Sequence, residues 1–111
     1  MNGKTFDLIK SKLQREFDYK ETMQVLRHNL MMFFSWGVSS LGHVESKALV
    51  FKVNGHHHKG YVVITLAWND TYSVYLVTTH GNLVKEFQEV YFDCLAELID
   101  ENVEKVAEYK R

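Results

Sequence analysis

Proline is absent from the chain, cysteine occurs once, and the longest uninterrupted apolar run is Leu30–Phe34. Without proline there is no stiff Pro-rich spacer, and no repeat or low-complexity tract divides the 111 residues. The single Cys94 cannot close an internal disulfide, which fits a reducing compartment. A run as short as Leu30–Phe34 is far from the length that spans a bilayer. The opening stretch Met1–Asp7 contains no continuous apolar core of a signal peptide. The expectation is a cytoplasmic protein without membrane association. What the chain does have is apolar mass: 46% hydrophobic residues against 24% charged. That balance excludes a disordered chain and supports one modest core in a single domain over residues 1–111.

Charge is nearly balanced at −1 but unevenly spread. Residues 1–85 carry ten Lys/Arg against six Asp/Glu, whereas residues 86–111 carry three against eight. Glu97, Asp100, Glu101, Glu104 and Glu108 form either a solvated helix face or an acidic surface for a basic partner. No basic stripe accompanies the aromatics, so nucleic-acid binding is disfavoured.

Periodicity organises the chain. Phe6, Ile9, Leu13 and Phe17 fall on one helical stripe, and Met23, Leu26, Leu30 and Phe33 continue it. Residues 4–35 therefore read as two helical segments or one long bent helix. Asp18–Glu21 has capping-box spacing at the break, and Gly37 supplies a C-terminal cap. Val38–Gly42 reads as a connection. Three strands are predicted near residues 47–53, 58–67 and 72–79. Asn54-Gly55 is the dipeptide of a tight hairpin turn. A two-residue loop there places Phe51 opposite His58 and Leu49 opposite Gly60. Leu49, Phe51, Val53, Val62, Ile64 and Leu66 then share the core face, because strand side chains alternate. At Asn69-Asp70 a three-residue loop adds Tyr72, Val74 and Leu76 to that face, whereas a two-residue loop would add Ser73, Tyr75 and Val77; the first is preferred because it sends Ser73 outward. A final helix over residues 88–109 completes an α+β domain of α-β-β-β-α order. It is a three-stranded antiparallel meander with the N- and C-terminal helices packed on one face.

Phe51-Lys-Val53, Ile64-Thr-Leu66, Asp70-Thr-Tyr-Ser-Val74 and Glu89-Val-Tyr-Phe-Asp93 with Leu95 carry a resemblance. In this order they resemble a group of small hypothetical proteins encoded on phages and mobile elements of gut bacteria. The resemblance spans roughly residues 48–99 and implies a genetic context but no activity. The run His56-His57-His58 is not part of that pattern.

Chemistry-bearing residues are concentrated at two places. His56 and His58 project from one side of a strand, and the meander should bring His80 toward Lys59-Gly60. The three form a candidate metal set for a metal-binding protein, against the alternative of a solvated polar tip. The outer sheet face carries Tyr61, Val63, Tyr75 and Val77, where an open sheet should be polar. Such a patch marks a protein contact or pairs across strands to stabilise the sheet. Gly37–Gly42 lies between a helix and a strand, the reverse of a nucleophile loop. Cys94 reads as a core residue, with Asp93 and Glu97 giving the wrong sign for a reactive thiol. No phosphate loop is present, no cofactor is implied, and an enzyme is not expected. The leading expectation is a binding or regulatory protein that forms a homodimer, or meets a protein partner, through the outer sheet face. The alternatives are the metal-binding protein and an inhibitor that presents its acidic final helix to a basic partner.

Overall fold

The computed structural model describes residues 3–28 and 30–104. Its chain runs α1 (Gly3–Lys12), α2 (Tyr19–Leu26), α3 (Leu30–Ser35), β1 (Ser39–Val44), β2 (Ala48–Asn54), β3 (Lys59–Leu66), β4 (Tyr72–Val77), β5 (Leu83–Val90) and α4 (Phe92–Val103). The sheet is an antiparallel meander in the order β1-β2-β3-β4-β5. None of the helices described is long and apolar enough to cross a membrane.

The α+β class and the antiparallel sheet agree with the sequence reading, but the sheet has five strands rather than three. The two additions are its edges. β1 lies largely in the expected connection, and β5 fills the stretch after Asn82 and takes the first residues, 88–90, of the expected final helix. Their solvent exposure hides the alternation that marks a half-buried strand. Both are also irregular: register shifts interrupt each, and Ser40 and Glu89 sit at φ of 52° and 55°.

The helices are a second correction, since they cover both faces. Leu49, Phe51, Val53, Val62, Ile64, Val74 and Leu76 pack with Met23, Leu26, Phe33, Leu95, Ile99 and Val103 from α2, α3 and α4, and with Trp36 just after α3. On the other face, Val50, Tyr61, Val63, Tyr75 and Val77 pack with Ile9 of α1. The N-terminal stripe does not continue as one surface, because α1 stops at Lys12 and residues 13–18 carry the chain round to the opposite layer. Lys12 lies over the Tyr75 ring, and Lys10 pairs with Glu45 at 3.1 Å. Tyr61, Val63, Tyr75 and Val77 are therefore buried beneath the chain's own first helix. The expected open face is an internal contact.

Local signals account for several boundaries. The Asp18 side chain accepts from the backbone N–H of Lys20 and Glu21, holding the start of α2. Gly37, at φ 62°, ends α3 in the left-handed conformation that glycine adopts without a Cβ penalty. The hairpin dipeptide behaves differently from expectation. β2 and β3 pair Asn54 with Lys59, Phe51 with Val62 and Leu49 with Ile64, so the loop is the four residues Gly55–His58. This register differs from the expected one by an even number of residues, which leaves every side chain on its expected face. The left-handed turn stands instead at Glu45-Ser46, both at positive φ, with Lys47 N–H donating to Val44 O at 2.9 Å.

Candidate functional site

The histidine loop is fastened to the end of α4. His57 N–H donates to Val103 O at 2.7 Å, and His56 N–H donates to Glu104 Oε1 at 2.8 Å. A Cβ on Gly55 would collide with the Val103 carbonyl and side chain, so glycine is needed here for close approach. His58 turns inward and is 7% exposed, with Nε2 3.2 Å from Tyr61 O and a second contact to the Val77 backbone. Burial disfavours the charged imidazole and pushes its pKa below the ordinary histidine value; the contacts to Tyr61 and Val77 offset only part of this. His56 and His57 remain exposed, their rings edge to face at 5.1 Å. His80 is exposed in the β4–β5 turn.

No cluster of three or more His, Cys, Asp or Glu side chains able to hold a metal occurs among the described residues. His56, His58 and His80 are thus not brought together, because the longer loop tucks His58 into the protein. A recess of about 250 Å³ beside the loop is lined by His57, His58, Lys85, Glu101 and Asn102. Its lysine is engaged, donating to Asn102 Oδ1 at 3.1 Å.

The acidic face of α4 also differs from its sequence reading. Asp100 is buried and accepts from Trp36 Nε1 at 3.0 Å, which makes it part of the core. Glu104 is half-buried and holds the histidine loop. Glu97 and Glu101 are exposed, and Glu108 lies outside the described residues. α4 begins at Phe92 and buries Leu95, Ile99 and Val103. That phase leaves Cys94 exposed instead of in the core. Asp93, the nearest carboxylate, is the main reason the Cys94 thiol is pushed up, away from reactive thiolate.

The same phase opens a groove between α2 and α4. Val25, Met32, Phe92 and Ala96 form its apolar lining; Glu21, Asp93 and Glu97 supply carboxylates, and the volume is about 580 Å³. It continues into a recess of about 380 Å³ that shares Glu21, Val25 and Phe92 and adds Asp18, Leu66, Asp70 and Tyr72. Asp18 is committed to its cap and Asp70 to Arg15 at 2.6 Å. Phe92 is 66% exposed at the junction. Sequence reasoning found Glu97 here but missed Glu21, Val25, Met32 and Phe92. The usable signal was the spacing Glu21–Val25 on one flank of α2, which means little until α4 is seen beside it.

Compared with known proteins, the chain matches no family model, no curated protein and no solved structure.

Proposed function

We propose that this is a non-enzymatic binding protein whose α2–α4 groove receives a basic amphipathic segment of another protein. The observation that carries the reading is the groove itself, an apolar channel with an exposed Phe92 bordered by Glu21, Asp93 and Glu97. An amphipathic helix lays its apolar face into such a channel, and lysines flanking that face meet the carboxylates. The charges would set encounter rate and choice of partner, while Phe92 and Met32 contribute the apolar contact. Small inhibitors act in this way, by covering a basic surface that another molecule needs. The mobile-element context implied by the motif resemblance accords with that role.

The test uses a synthetic lysine–leucine peptide with helical amphipathic spacing, titrated calorimetrically. Binding should be near micromolar, equivalent to roughly −8 kcal/mol, and should weaken as salt is raised. Glu97→Lys should weaken it by roughly tenfold, and Phe92→Ala should weaken it without altering the salt dependence. Equal binding of a glutamate–leucine peptide, or indifference to both substitutions, would refute the reading.

A further inference from the structure

The opposite flank of α2 borders a second channel of opposite charge. Two recesses of about 480 and 400 Å³ share Met23, Arg27 and Leu41 and run between the helical layer and β1. Phe33, Phe34 and Val38 line one end; Tyr19, Lys20 and His43 line the other. The charged side chains lining the pair are Lys20 and Arg27, with no carboxylate among the described lining residues. α2 therefore separates an acid-bordered channel from a base-bordered one.

The second channel lies beside a sheet edge. β1 pairs with β2 on one side, and it is the terminal strand of the described sheet on the other. Edge strands carry a row of backbone donors and acceptors without a strand partner, and native proteins commonly guard them with charge. β5 follows that practice with Lys85, Glu86 and Glu89. β1, Ser-Ser-Leu-Gly-His-Val over Ser39–Val44, contains no lysine, arginine or carboxylate. Its regular portion, Gly42–Val44, pairs with Ala48–Val50 of β2. Phe34 and Leu41 stand 64% and 53% exposed beside it.

We infer that β1 is a docking edge for an extended acidic peptide segment of a partner, which adds as a sixth strand. Main-chain hydrogen bonds to the edge supply the affinity in this mode, and alternate side chains provide the specificity. One set of side chains enters the channel over Met23, Phe34 and Leu41. Carboxylates along the segment meet Lys20 and Arg27. The partner is acidic because its charge must complement those two cations, and extended because an edge strand offers hydrogen bonds only to a strand. This site is separate from the α2–α4 groove and does not depend on it.

The experiment is an NMR titration of the full chain with a short synthetic peptide of alternating valine and glutamate. The expected result is slowed amide exchange at Gly42–Val44, with shifts along β1 and α2. Arg27→Glu should weaken binding by roughly tenfold, and Leu41→Ser should weaken it independently by removing apolar contact, with melting temperature checking that each variant is folded. Equal binding of the valine–lysine peptide would overturn the inference, as would protection appearing on β5 or no response at millimolar peptide. Protection of β1 that grows with protein concentration alone would overturn it as well, since the occupant would then be a second copy.

Discussion

His58 shows how a single side chain ties the sheet to its environment. It is enclosed beside the Tyr61 and Val77 backbone, and burial holds its pKa below the ordinary value of about 6.5. The neutral ring is therefore the form that the folded protein accommodates. Its contribution to stability is fully present above that ordinary value and is lost as pH falls through the lowered folded-state pKa. Chemical denaturation from neutral pH down to about pH 5 should show falling stability, and His58→Gln should flatten that fall. An unchanged slope in the variant would show that another group carries the acid response. Residue-scale signals were legible where they acted locally, as with Asp18 and Gly37. Asp100 was not legible, because its partner Trp36 lies 64 residues away. Gly55 was misread for a related reason: its glycine answers to the approach of Val103 rather than to a turn dihedral.

Elements were legible in proportion to how deeply they are buried. β2, β3 and β4 stood out as dense apolar runs because both of their faces are covered by helical layers, and their side chains were sorted onto the right faces although the hairpin register was not. β1 and β5 do not alternate, since solvent rather than a core takes up most of their side chains. For α1, its helical stripe was visible, but the face it covers was not. That placement depends on residues 13–18 turning around the end of the sheet, with Phe17 N–H donating to Ser46 O at 3.0 Å. The layer α1 forms is thin: Thr5 and Ile9 are its only fully enclosed residues. Ile9→Ala should accordingly cost about 2–5 kcal/mol by urea denaturation. Phe6, on the same helix but 41% exposed, should change stability by only about 0.5 kcal/mol when replaced by alanine. Similar losses at the two positions would mean that α1 is not seated by Ile9.

At the scale of the whole molecule, the protein is one antiparallel sheet between two unequal helical layers. The fold class was legible, because the three central strands and the flanking helices carry its strongest periodicities. The second layer and the sheet edges were not, since each depends on surface residues whose neighbours come from elsewhere in the chain. The same distance effect hid the candidate groove, which draws α2 and α4 together on one face of the sheet although all five strands separate them in sequence.

The meander also decides where the two outermost helices begin and end. The β2–β3 and β4–β5 loops emerge at the same end of an antiparallel sheet. α4 finishes against the first of them at Gly55 and His57, and α1 starts against the second, where Lys4 donates to Asn82 at 2.7 Å and Thr5 abuts Gly81. Gly3 and Glu104 thus belong to one pole of the domain, while the Ala67–Thr71 turn, with exposed Trp68, marks the other. A circular permutant that joins the first pole by a flexible linker and opens the chain at Trp68-Asn69 should fold cooperatively, as loop-tip openings commonly allow. Loss of a single cooperative melting transition would show that the opened turn is needed for folding. The same polarity makes the domain suited to insertion into a surface loop of a host protein, entering and leaving at one point.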